Sequence, residues 1–243
     1  MTYCLALKLE AGLICLSDTR TNAGVDDISK YRKMFTWSVP GDRVIVMMTA
    51  GNLAITQAVI SLLQENIDSP KEGIETLFTA PSMFRVAEIV GDAMRVVQGR
   101  YAQGLTAMGE SSLSSIILAG QRADGKLRLF HIYSAGNFIE ATDDTPFFQI
   151  GEHKYGKPIL DRVITPSTPL NMGITAALLS MDSTLRSNLS VGMPLDLAVI
   201  ASGDLQLTEM RRIEENDPAF AELSEAWSEA LRKAFTDMTQ VNV

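Results

Sequence analysis

The chain has 243 residues, 46% of them hydrophobic and 21% charged, which is the composition of a soluble globular protein of one large or two small domains. A net charge of −8 with no basic run disfavours binding to a phosphate backbone, so a nucleic-acid partner is not expected. Two cysteines, Cys4 and Cys15, are too few for a disulfide framework and suit a reducing cytoplasm.

In chain order, residues 2–20 read as a β-hairpin. "TYCLALKL" and "LICLSDTR" flank "EAG", which suits a three-residue loop with Gly12 in a left-handed bulge position. Pairing Leu9 with Leu13 would set Cys4 opposite Asp18 and Thr2 opposite Arg20. Those four would then share one face, with Cys15 on the other. Lys8 and Glu10 interrupt the apolar start and no basic segment precedes it, so it is not a signal peptide.

A polar loop leads to strands near "KMFTWSV" and "RVIVMMTAG". Val44 to Gln64 carries no charge and would be long enough to span a bilayer, at about 20 residues. Its turn-like centre, "TAGN", divides a β-rich half from a half with helical spacing, so a buried strand followed by a helix is expected and no membrane partner. Asn52 is the candidate N-cap of that helix, and a second helix begins near Ser82.

Strands follow at "SSIILAGQ", "KLRLFHIYS", "NFIEA" and "FFQIG", then helices over about 152–163 and 168–185. "PLDLAVIAS" reads as a strand, with a short one near "LQLTEM" and a last helix from Asp217 and Pro218. Several strands are apolar on both faces, so both faces of their sheets must be covered. Two stacked sheets with a helix pair outside each meet that need: an α+β, four-layer αββα sandwich. One domain over 1–243 is the simplest account.

Chemistry that needs histidine, metal or nucleotide finds little support. His131 and His153 lack metal-ligand spacing, and no glycine-rich phosphate loop follows a strand, so no cofactor or metal is expected. What remains is Met1-Thr2 at the start of a strand, with Asp18, Arg20 and Lys33 within reach. Removal of Met1 would give Thr2 a free α-amine beside its hydroxyl. With a pKa of about 8, that amine is substantially neutral near pH 7 and can serve as general base. A lysine ammonium favours the developing alkoxide, and a carboxylate holds the lysine. The same residues also fit an exposed ion pair at a hairpin end and a charged strand edge.

"TYCLALKLEAGLICLSDTRTNAG" resembles the opening of proteasome β-type subunits, "KYRKMFTW" their lysine segment and "MTAGN" their oxyanion-hole segment. "FFQIGEHKYGKPILD" and "PLDLAVI" resemble their later helix start and penultimate strand. The wording "SDTRTNAGVDDISKYRKM" is most similar to Anbu, a bacterial proteasome-related family of the N-terminal-nucleophile hydrolase superfamily. The resemblance covers roughly residues 1–203 and implies an αββα fold with Thr2 as nucleophile and amine base. It implies that Lys33 lowers the hydroxyl pKa, Asp18 orients Lys33, Gly51 donates its N–H to the oxyanion and Arg20 is structural.

Two departures stand out. The serine expected after the glycine of the third helix is Glu152, and the Asp-x-x-Ser pair supporting the amine is matched only by Ser187 and Ser190. The resemblance further implies a homo-oligomeric ring or spiral acting on peptide or amide bonds. A proteasome-shaped scaffold with little catalysis and a small-molecule amidase remain the alternatives. The extension at about 204–243 lies beyond the resemblance and would be an assembly element.

Overall fold

The structure is a computed structural model and describes residues 2–22, 28–123 and 125–239. Strands β1 (Tyr3–Leu9) and β2 (Gly12–Asp18) form the opening hairpin, but one residue out of the expected register. Leu9 pairs with Gly12 across a two-residue Glu10–Ala11 turn, so Cys4 faces Ser17 and Cys15 faces Ala6. Gly12 is drawn into strand pairing with both Leu9 and Ala201. Its φ of +156° is closer to extended backbone than to the left-handed bulge, and a Cβ there would strike the Ile200 carbonyl. Close approach is what requires the glycine. The slip places both cysteines on one face, contrary to expectation.

The polar loop contains a short ribbon, β3 (Arg20–Asn22) with β4 (Ile28–Lys30), in which Arg20 pairs with Lys30 rather than with Thr2. Residues 23–27 of that loop lie outside the described residues. Next come β5 (Met34–Val39), β6 (Arg43–Gly51) and helices α1 (Leu53–Asp68) and α2 (Met83–Ala107). Both helices start where expected, the Asn52 and Ser82 side chains accepting from the amides of Ile55 and Arg85 at 3.1 Å each. Among the described residues no helix is long and apolar enough to cross a membrane.

Strands β7 (Ser114–Arg122), β8 (Arg128–Ile132), β9 (Phe138–Glu140) and β10 (Phe147–Gly151) follow as expected. Helix α3 (Lys157–Val163) is shorter than its expected 152–163 span, because Gly151 turns the chain at φ +82° and the Glu152 amide is held by Thr2. Helix α4 (Leu170–Ser187) starts after Pro169, and β11 (Leu195–Ala201) completes the apolar core strands. Strand β12 (Glu209–Ile213) begins later than "LQLTEM" suggested. The Thr208 hydroxyl accepts from the Ala201 amide and donates to Asp204, closing a turn first. Helix α5 (Pro218–Met238) is capped by Asp217.

Sheet order is β10-β1-β2-β11-β12 in one layer and β5-β6-β7-β8-β9 in the other, all neighbours antiparallel. Alternation then sorts the apolar residues into three cores. Tyr3, Leu5, Leu7 and Ile14 face α3 and α4, while Ile45, Met47, Ile116 and Leu118 face α1 and α2. Between the sheets lies a mixed layer, with Cys4, Ala6, Cys15, Ala119 and Ala198 beside Met34, Met48, Leu129 and Phe148. Each sheet thus contributes one face to the inner core and the other to a helix–sheet core. This is the expected four-layer αββα sandwich.

Both thiols lie in the layer between the sheets, where burial pushes Cys15 up to about 12 and Cys4 upward as well. Thiol titration of the folded protein at about pH 8 is therefore expected to count none, and both after unfolding. A fast-reacting thiol in the native protein would contradict this packing.

Candidate active site

The two sheets meet at one end of the sandwich, where β1 and β5 begin and β2, β6 and β10 finish. Thr2 stands just ahead of β1 and is only 8% exposed. Its carbonyl accepts the Glu152 N–H at 2.7 Å, and a Cβ at Gly151 would collide with that same carbonyl. The edge strand β10 therefore fixes the backbone of Thr2 against the sheet.

Asp18 ends β2 and is fully buried. It reaches the site not by sharing a strand face with Thr2, as expected, but because β2 ends there and the carboxylate turns towards the backbone of β1. Its Oδ1 accepts the Tyr3 N–H at 3.1 Å and the Lys33 ammonium at 2.7 Å, and its Oδ2 accepts the Gly192 N–H at 3.2 Å. Burial pushes the Asp18 carboxyl above its ordinary value, while the Lys33 ammonium and the two amides pull the other way.

Lys33, 2% exposed, precedes β5 and also donates to the Arg20 carbonyl at 2.6 Å. An ammonium has three N–H groups, so these two bonds leave one over at a side chain that borders the cleft beside Thr2. The Arg20 guanidinium donates to the Leu189 carbonyl at 3.1 Å and lies against Gly192, where a Cβ would collide with it. It thereby ties the 189–192 loop, with its amide to Asp18, to β3.

Gly51 closes β6 at φ +100°, with no room for a Cβ against the Leu113 carbonyl. The next residue is the N-cap of α1, so the amide end of that helix opens onto the same space. The result is a cleft of about 690 Å³ whose lining includes Thr2, Thr21, Lys33, Thr49, Gly51 and Glu110. A hydroxyl, a paired ammonium and a helix N-terminus thus share one polar pocket. Among the described residues no group of three or more metal-type ligands converges.

Ser187 and Ser190 occupy other positions. Ser187 is exposed at the end of α4, Ser190 donates its amide to the Asn188 side chain at 2.9 Å, and neither lines the cleft. Asn188, which follows Ser187, donates to Glu152 Oε2 at 3.2 Å. Glu152 therefore holds the Thr2 carbonyl through its amide and Asn188 through its carboxylate. Glu152 stands out in the sequence as a departure, whereas Asn188 does not. Its only sequence signal was its place one residue after Ser187.

Lys33→Met would leave the Asp18 carboxylate buried without its counter-ion, at an expected cost of about 3–5 kcal/mol in urea unfolding. Adding Asp18→Asn should recover part of that loss. Equal stability of Lys33→Met and the parent would mean that the ion pair is not the structural link its geometry indicates.

Comparison with known proteins returned no matching family model and no matching curated protein. Solved structures do match. An Anbu (Gly-1) mutant from Hyphomicrobium sp. strain MC1 is 50% identical with a TM-score of 0.93, over 100% of both chains. Anbu (ancestral beta-subunit) from Yersinia bercovieri is 44% identical with a TM-score of 0.92, over 99% of each chain. The helical assembly of the Anbu complex from Pseudomonas aeruginosa is 46% identical with a TM-score of 0.91, covering 97% of this chain and 96% of that one. With the same four layers and half or nearly half of its residues shared along the full length, the chain belongs to the proteasome-related bacterial family Anbu.

Proposed function

We propose that the chain is a proteasome-like threonine hydrolase that cleaves peptide or amide bonds through an acyl-enzyme on Thr2. The observation that carries this reading is the buried Lys33 ammonium, held by Asp18 and the Arg20 carbonyl on a cleft shared with Thr2 and Gly51. In this reading Met1 is removed, and the freed α-amine takes the proton from the Thr2 hydroxyl as its oxygen bonds to the substrate carbonyl carbon. Lys33 stabilises the alkoxide as it forms, Asp18 orients Lys33, and the Gly51 N–H receives the oxyanion. A donor of that kind contributes about 3–4 kcal/mol in other hydrolases. Collapse breaks the C–N bond, and the leaving amine departs with the proton held by the α-amine. Water then loses a proton to the same amine and attacks the ester carbon; the ester C–O bond breaks, and the amine returns that proton to the Thr2 oxygen as the acid leaves.

The Anbu complex of Pseudomonas aeruginosa forms a helical assembly, and the reading extends self-assembly into a ring or spiral to this chain, with Thr2 facing the interior. Two buried, unpaired thiols suit a cytoplasmic setting.

Intact mass spectrometry after treatment with a β-lactone or epoxyketone tests the mechanism. The expected result is a chain lacking Met1 with one adduct on Thr2, and no adduct in Thr2→Ala or Lys33→Ala. Adduct formation should quicken as pH rises through about 8, since only the neutral amine accepts the hydroxyl proton. A chain that keeps Met1 in the cell would sink the proposal, because a blocked amine cannot act as base.

A further inference from the structure

The way helix α2 ends fixes what stands at the rim of the Thr2 cleft. Gly109 adopts φ +77°, its N–H donates to the Thr106 carbonyl at 3.1 Å, and the Glu110 N–H donates to the Leu105 carbonyl at 2.9 Å. These two bonds make a Schellman terminator, whose last residue is commonly apolar and packs back on the helix. Here that residue is a carboxylate, placed at the negative end of the helix dipole, where an acidic group is disfavoured. The chain that follows it is fastened to the opposite wall. Asn52, next after Gly51, donates its amide to the Leu113 carbonyl and its side-chain Nδ2 to the Ser111 carbonyl, both at 2.9 Å. Glu110 is thus held between the end of α2 and the start of α1, and it lines the cleft with Thr2 and Gly51.

Local structure supplies this position and no partner for the charge. Among the described residues Glu110 joins no ion pair. No amide of α1 donates to it either, although that helix opens onto the same cleft. The other charged group on the lining, Lys33, is paired with Asp18. Asn52 commits its side-chain oxygen to Ile55 and its nitrogen to Ser111. Thr21, Thr49 and Thr56 complete the polar wall without charge. We propose that Glu110 selects substrates with a cationic group, a lysine or arginine side chain or a free α-amine, near the bond to be cut. It receives that group at the rim while the carbonyl lies at Thr2, so it acts in binding and not on the reacting atoms. The inference names a substrate class for the hydrolase reading above and rests on it.

Rates of Thr2 labelling by acetyl-capped tripeptide epoxyketones, with Lys, Gln or Glu at one position in turn and alanine elsewhere, test the selection. At one position the half-saturating concentration of the Lys probe should lie at least about five-fold below that of the Glu probe. The preference should appear in that concentration and not in the maximal rate. Glu110→Gln should erase it, Glu110→Lys should reverse it, and about 0.5 M salt should weaken it in the parent. An uncapped all-alanine probe, set against its capped form, tells an α-amine from a basic side chain. Labelling of Thr2 with no preference for Lys or for the free amine overturns this inference and leaves the hydrolase reading intact. A preference that survives unchanged in Glu110→Gln does the same. Failure of every probe to label Thr2 overturns both.

Discussion

Few groups in the molecule are as costly to bury as the Lys33 ammonium and the Asp18 carboxylate, with side chains only 3% and 0% exposed. Removing two charges from water costs several kcal/mol for each ion, and mutual attraction offsets it only when the remaining hydrogen-bonding capacity is satisfied. For the carboxylate and for two of the three ammonium N–H groups, that condition is met by parts of the chain far apart in sequence. The Tyr3 amide comes from β1, the Gly192 amide from the loop after α4, and the Arg20 carbonyl from the ribbon after β2. The pair is tolerable only when all of these have closed around it, so the geometry of the site and the closure of one end of the sandwich depend on each other.

The two-sheet architecture supplies the rest. Thr2 enters from the first sheet and Gly51 from the second, and the distance between them is governed by how closely the sheets approach. The inner layer mixes small residues such as Ala6 and Ala119 with Met34, Leu129 and Phe148, and the Cys4 thiol donates to the Thr49 carbonyl across it at 3.8 Å. The opposite faces of the same strands pack under α1 to α4. Strands apolar on both faces follow directly from this division, since each serves two cores at once.

Around Thr2 the chemistry keeps the ion pair but changes its flank. Glu152 holds the Thr2 carbonyl through its amide and takes a side-chain bond from Asn188. A carboxylate and an amide thus occupy ground where the resemblance implied a serine and an Asp-x-x-Ser pair. Elsewhere, helix α5 is exposed at every residue from Glu229 to Thr239.

Local pattern sufficed for much of this. Helical spacing and the caps Asn52 and Ser82 located α1 and α2, and β-rich apolar runs located the core strands, because both signals are written within a few residues. Thr2, Asp18, Lys33 and Gly51 were legible through motif wording, and the structure gathers them at one cleft. Register was not legible. Whether Leu9 meets Leu13 or Gly12 depends on how Gly12 packs against Ile200, almost two hundred residues later in the chain. The role of Asn188 was hidden for the same reason, since its partner Glu152 becomes its neighbour only after the sheet and α4 have packed. Sequence alone determined most of the strands and helices and which residues are candidates for the chemistry. The tertiary structure decided which of them touch, because side-chain bonds between distant segments are set by packing and not by spacing.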